Sequence, residues 1–224
     1  MLTAFHFSVS VTYMKTNHAQ TTTETKRPYR QGARAEAAAR TAHAIAQALK
    51  EFLETEWYND VSLERIAAAA DVTVPTVLRH FGSKEGILDG VLAIMEHEIT
   101  HRRTVLPGDI DGAIAAVVSD YEVLGDMVLR ILCQEDRIPA MRKVTDFGRA
   151  SYRRWLRAAF APYFDGLTPD RQEWLNDGLV ICLDIYVWKL IRRDRGRSAQ
   201  DVRDYMKTLV LGMIGSVESR LGGE

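Results

Sequence analysis

The stretch from Ser62 to Glu85 constrains the fold more than any other part of the chain. Ser62 can cap a helix by accepting a backbone N–H, and Val61 and Ile66 flank it at the spacing of a hydrophobic staple. The helix this opens, about residues 62–70, ends at Asp71, a residue type that enters the left-handed backbone region more readily than most. Thr73 is the next cap, with Val72 and Val77 again in the staple relation and Pro75 in the first turn, where a helix tolerates proline. This second short helix closes at Phe81-Gly82. Ser83 then caps a further helix carrying Ile87, Leu88, Val91, Leu92, Met95 and Ile99, which stops before Pro107-Gly108. Upstream, Ala42, Ile45, Ala46, Leu49, Phe52 and Leu53 recur with the period of one helix face, and residues 57–60 interrupt it. Two short helices joined by a tight turn and buttressed by longer ones form a helix-turn-helix.

The rest of the chain fits an all-α protein. Residues 108–221 read as successive helices without strand alternation, broken at Pro139, at 166–169 (where Thr168 caps and Pro169 opens the next helix) and at Gly196. Tyr121, Leu124, Met127, Val128, Ile131 and Leu132 mark one helix, and Phe147, Tyr152, Trp155, Leu156, Phe160 and Phe164 another. A long one is expected from Trp174 through Leu183 to Ile191. The last follows a Ser198-x-x-Asp201 cap and carries Tyr205, Met206, Leu209, Val210, Met213, Ile214 and Val217. These last two stripes are broad enough to bury more than one face.

Composition narrows the function classes. In 224 residues, 29 Lys+Arg nearly cancel 30 Asp+Glu, so any nucleic-acid signal must be local. It is local: between residues 15 and 50, Lys15, Lys26, Arg27, Arg30, Arg34, Arg40 and Lys50 face only Glu24 and Glu36. Such a basic arm suits phosphate contacts or a minor groove, and solubilisation is the plainer use for residues before Arg30. The two cysteines, Cys133 and Cys182, lie in apolar stretches without Cys-x-x-Cys spacing and read as core hydrophobes in a reducing cytoplasm. No run approaches the roughly 20 apolar residues of a membrane helix. Residues 1–13 are apolar and aromatic but lack the basic start and cleavage site of a signal peptide, and Met14 is an alternative start. With the polar stretch up to residue 31 they are expected to form a disordered tail. The expected organisation is a tail (1–31), a helix-turn-helix domain (32–83), a linking fourth helix (84–107) and a second helical domain (108–224).

The run SLERIAAAADVTVPTVLRHFGSKEGIL, within about residues 41–92, resembles the amino-terminal domain of the TetR-type (tetracycline-repressor) family of transcriptional regulators. The specific parts are Ile66-Ala67-x-x-Ala70, Val72-Thr73-x-x-Thr76 and His80-Phe81-x-Ser83-Lys84-Glu85. The sequence departs from the family at Asp71, where glycine is usual, at Pro75, and at Leu78, where an aromatic residue ordinarily faces the DNA. Leu78 either makes an apolar contact there, for instance with a thymine methyl, or turns inward beside Val77 and Phe81; periodicity favours the second and the resemblance the first.

The resemblance implies a ligand-responsive repressor that binds a palindromic operator as a dimer, without a cofactor. It puts the helix opened by Thr73 in the major groove, with Val74, Pro75, Thr76 and Arg79 nearest the base edges. Arg79 suits guanine, whose O6 and N7 its fork can bond together. Thr73, Thr76, His80 and Lys84 are placed for phosphates; Ser62, Arg34 and Arg40 complete the expected DNA-binding set. Independently of the family, the amino end of the helix after Ser83 attracts anions. Packing beside Trp57 or Phe81 is the other use for His80, and solvation for Lys84. By the same resemblance the last two long helices form a four-helix dimer interface, giving two recognition helices about 34 Å or a multiple apart. A small effector would occupy a cavity lined by Tyr121, Met127, Phe147, Tyr152, Trp155 and Trp188, which any helical core could also use as packing. Arg149, Arg153, Arg154 and Arg157 either neutralise an anionic effector or pair with acids of the same chain.

Two rival readings are open at this level. His97-Glu98-Ile99-Thr100-His101 matches H-E-x-x-H, the pattern of zinc peptidases, with Glu122 a conceivable third ligand. It sits on the tail of a helix-turn-helix domain, with no strand to hold a peptide. The other rival is a helical binding scaffold that no longer reads DNA, suggested by Leu78 and by Glu64 on the first short helix.

Overall fold

The computed structural model describes the backbone of residues 27–221 and the side-chain surroundings of 32–217. The expectations for residues 1–26, including the start at Met14, most of the tail, and Lys15 and Lys26 of the basic arm, lie outside the described residues. All described elements are helical: α1 (Arg27–Thr55), α2 (Leu63–Ala69), α3 (Val74–Phe81), α4 (Lys84–Arg102), α5 (Ile110–Leu132), α6 (Pro139–Ala159), α7 (Pro169–Cys182), α8 (Ile185–Trp188) and α9 (Ala199–Leu221). Single 3-10 turns lie at Tyr58–Asp60 and Ala161–Phe164, and a π-helical turn, Lys189–Asp194, continues α8.

α1 begins at Arg27, five residues before the boundary expected from the first apolar repeat. Pro28 is confined to its first turn, and alanines from Ala33 onward favour helix without any burial. Residues 32–38 are exposed.

From Ala39 onward two cores account for the packing. The first gathers Ile45, Leu49 and Leu53 of α1, Ile66, Val77, and Ile87, Leu88 and Val91 of α4 around Tyr58 and Val61. The second joins Ile114 and Val117 of α5, Leu156 and Phe160, Leu175 and Leu179 of α7, Trp188, and Val202, Met206 and Val210 of α9. α5 and α6 serve both, since Leu124, Met127, Ile131, Met141 and Val144 belong to the first core.

The turn chemistry follows the sequence closely. The Ser62 hydroxyl accepts the Arg65 N–H at 3.3 Å, and that of Ser83 accepts the Gly86 N–H at 3.2 Å. Asp71 is the one non-glycine residue at positive φ among the described residues, at 52°, and Gly82 ends α3 at φ 75°. Thr73 holds the cap position without capping: its hydroxyl lies 3.1 Å from that of Thr76, each satisfying the other instead of a backbone N–H. At α9, Ser198 and Asp201 form a reciprocal box, each side chain accepting the other's backbone N–H.

Three expectations need correction. The long helix through Leu183 is broken there, because the Asp184 carboxylate takes the Tyr186 N–H at 2.8 Å and starts α8 afresh. The Leu183 carbonyl accepts two buried phenols instead, Tyr121 at 3.0 Å and Tyr152 at 2.8 Å. Phe164 likewise falls outside α6, in the following 3-10 turn. Cys133 is exposed at the end of α5, where the helix passes into a turn, while Cys182 is buried as expected.

Candidate DNA-binding site

α3 is held by its buried side. Val77 is fully buried, and Val74 and Phe81 lean on the same core, which fixes the rotation of the helix. Pro75, Leu78 and Arg79 therefore point outward together with Thr73, while Thr76 and His80 are half-exposed at the margins. The open question about Leu78 is resolved outward: it is 40% exposed, because the eight-residue helix has only one fully buried position and Val77 occupies it. The His80 ring lies near that of Phe81, tilted 45° to it with centroids 6.4 Å apart. Arg79 and His80 in the last turn leave this face basic.

Lys84 has an internal partner that the sequence did not suggest. Its ammonium donates to the Tyr58 carbonyl and lies 4.0 Å from the centre of the Tyr58 ring. Burial beneath that ring holds the ammonium below its ordinary pKa, and burial with the nearby Glu85 carboxylate raises the Tyr58 phenol. The Tyr58 N–H in turn donates to the buried Gln134 side chain at 3.1 Å, and Arg130 donates to the carbonyls of Leu53 and Glu54 that end α1. The last turn of α5 and the turn that follows it thus grip the segment that feeds the helix-turn-helix. No motif marks Gln134 or Arg130; only the fold brings them 76 residues back along the chain.

On α2, Ser62 is committed to its own helix end, and its hydroxyl helps hold Glu64 below the usual carboxylate range after Glu64's own backbone N–H. Arg65 pairs with Glu56 through both terminal nitrogens, at 2.6 and 2.8 Å, and covers the Phe52 ring. Arg40 and Arg34 are exposed on α1, Arg34 within the amino-terminal unit that ends at Ala38. Lys50 is a correction to the basic stretch: it lies on the inner face of α1, buried, paired with Glu54 at 3.3 Å and Glu98 at 3.4 Å.

The six effector candidates divide. Tyr121, Tyr152, Trp155 and Trp188 pack in or against the second core, whereas Met127 and Phe147 belong with the first. Their polar atoms are engaged: Trp155 donates to the Arg103 carbonyl at 2.9 Å and Trp188 to Glu122 at 2.8 Å. Tyr152 and Trp155 stack 6.0 Å apart with the Arg103 guanidinium over both. Arg103 and Arg102 share the buried carboxylate of Asp120, the latter at 2.6 Å. The arginine row on α6 pairs internally: Arg149 with Glu135 and Asp146, Arg153 with Asp177, Arg157 with Glu173, and Arg154 with the Ser151 hydroxyl.

The H-E-x-x-H residues do not assemble a ligand set. Glu98 is paired with Lys50 and Arg102, Glu122 with Arg192 at 3.0 Å, and no group of three metal-ligating side chains occurs among the described residues.

A short helix with a basic last turn, exposed on a support of three others, is a helix-turn-helix arrangement, and the other elements among the described residues are helical too. Residues 45–91 match the family model of the bacterial regulatory proteins of the tetR family, so this helix-turn-helix segment is similar to the one those proteins carry. The fold is similar to that of a protein from Mesorhizobium loti MAFF303099 assigned to the TetR-family transcriptional regulators. That likeness has 21% identity and a TM-score of 0.57 over 80% of this chain and 97% of the other. A protein from Pseudomonas aeruginosa PAO1 assigned as a transcriptional regulator is similar at 17% identity and TM-score 0.59, over 80% and 92%. Both likenesses are of fold. No curated protein sequence matches the chain. Among the described residues no helix is long and apolar enough to cross a membrane.

Proposed function

We propose that the protein is a homodimeric repressor that binds a palindromic operator in the cytoplasm and is released by a small effector, acting by binding and not by catalysis. The observation that carries this is the outward face of α3, formed by Pro75, Leu78 and Arg79 with Thr73 before it and Thr76 at its margin, on a segment that matches the tetR-family model. In this reading Arg79 reads guanine, and Thr73, Thr76, His80, Arg34 and Arg40 contact the backbone. Val74 and Ser62 border the groove. Lys84 reaches phosphate by leaving the Tyr58 carbonyl, an exchange of one acceptor for a charged one.

The dimer is supported by apolar residues left exposed where α7 and α9 pack together: Trp174 and Ile181 on the first, Tyr205 and Leu209 on the second. Exposed side chains of that size on two adjacent helices suit a four-helix interface. The effector is proposed to displace contacts among Tyr121, Tyr152, Trp155 and Trp188, with Met127 and Phe147 responding through α5 and α6. Because α5 ends on Leu53, Glu54 and Tyr58, a shift of α5 reaches the helix-turn-helix directly.

The test is an anisotropy titration against duplex DNA from upstream of the gene and against scrambled duplex, at several salt concentrations. Saturable binding tighter on the specific duplex by about 10³-fold or more, with two protomers per site, is the expected result. Equal binding to sequences selected from random duplexes and to scrambled DNA would remove the proposal.

A further inference from the structure

We infer that Leu78 is a specificity-determining residue whose side chain packs on a thymine methyl in the operator half-site; this rests on the DNA-reading role proposed above. Three observations carry it. The buried side of α3 fixes the rotation, so the outward arc of the helix consists of Pro75, Leu78 and Arg79. Leu78 is the one large hydrophobic residue exposed on α2, α3 or α4. It has no donor or acceptor, so it cannot bond a phosphate or a base edge.

The major groove offers one apolar feature, the C5 methyl of thymine. An aliphatic side chain pressed on a phosphate or a polar base edge leaves that group short of a partner, whereas on a methyl it removes apolar surface from water at both sides. Pro75, one turn earlier on the same arc, extends the apolar surface. Arg79 follows immediately, so the methyl and the guanine it reads lie within a step or two of each other. Leu78 thereby adds a T-versus-C preference that arginine and threonine contacts alone do not supply.

The experiment uses the full chain and duplexes selected from a random pool. In the selected half-site each thymine is replaced by uracil, which deletes the methyl and nothing else. The expected result is one position per half-site at which uracil weakens the wild-type protein about fourfold, the value of one buried methyl group. Leu78→Ala is expected to bind thymine and uracil duplexes equally at that position, while Arg79→Ala keeps the difference. Specific binding that ignores every uracil substitution overturns the inference and leaves DNA reading intact. So does a thymine preference that survives in Leu78→Ala with an unchanged melting temperature. Failure to select any sequence overturns the DNA-reading role and this inference with it. The wild-type uracil series needs no variant, so it decides even if Leu78→Ala folds poorly.

Discussion

Arg79 and Lys84 divide the work of binding by their surroundings. Arg79 is exposed on α3, so Arg79→Ala should remove base discrimination of about 1–3 kcal/mol at one position and relax preference there. Lys84 is committed to Tyr58 in the free protein, so Lys84→Ala should do two things at once. It should weaken binding to all sequences with a salt slope shallower by about one, and lower the melting temperature, because Tyr58 loses a charged donor. Titrations of both variants over a salt series, beside thermal melts, separate these effects; equal losses on every sequence would contradict the division. The outward place of Pro75 and Arg79 comes from the family resemblance and not from spacing, since periodicity alone turns the neighbouring Leu78 inward, whereas the structure has it exposed. The tie between Lys84 and Tyr58 was not legible, since nothing in a local pattern shows which carbonyl a lysine 26 residues away will meet.

At the scale of elements, the joint between α5, α6 and α8 is the feature with most chemical content. Tyr121 and Tyr152 both donate to Leu183, and burial, the largest influence on each, pushes Tyr121 up to about 12 and Tyr152 well above its ordinary value. A phenol whose pKa is raised on folding contributes stability that is complete below the unfolded value of about 10. That stability is lost as pH climbs toward the folded value. Denaturation followed from pH 9 to 12 should therefore show a loss of stability that is reduced in Tyr121→Phe and Tyr152→Phe; an identical slope in the double variant would contradict the assignment. The same joint needs Gly125, where an added Cβ would stand 2.6 Å from the buried Trp188 ring. Gly125→Ala should cost about 1–3 kcal/mol, whereas Gly148→Ala on α6, with open space around it, should be neutral or gain up to about 1 kcal/mol from helix propensity. Chemical denaturation of the two variants makes the comparison.

For the whole molecule, the proposed α7–α9 face predicts assembly. Ile181→Glu combined with Leu209→Glu should leave the protomer folded, since Ile181 is 69% and Leu209 45% exposed, yet yield monomers by light scattering. Operator affinity should fall with the loss of the second recognition helix. A folded dimer with unchanged affinity would place the interface elsewhere. The ionic chain from Lys50 through Glu98 and Arg102 to Asp120 joins α1, α4 and α5 within one packed unit.

What the sequence by itself determined is local in origin. Ser62 and Ser83 capping their helices, Asp71 at positive φ, Gly82 closing α3 and the Ser198–Asp201 box all follow from side chains acting within three or four residues of themselves, and helical periods are equally local. The helix-turn-helix was therefore readable before any packing was known. Only the tertiary structure decided the break at Leu183, the burial of Lys50, the exposure of Cys133 and of Leu78, and the grip of Gln134 and Arg130 on the end of α1. Each of these depends on which distant group meets a carbonyl, a charge or a hydrophobic face, and the free energy of that meeting belongs to the packed cores rather than to the residue itself.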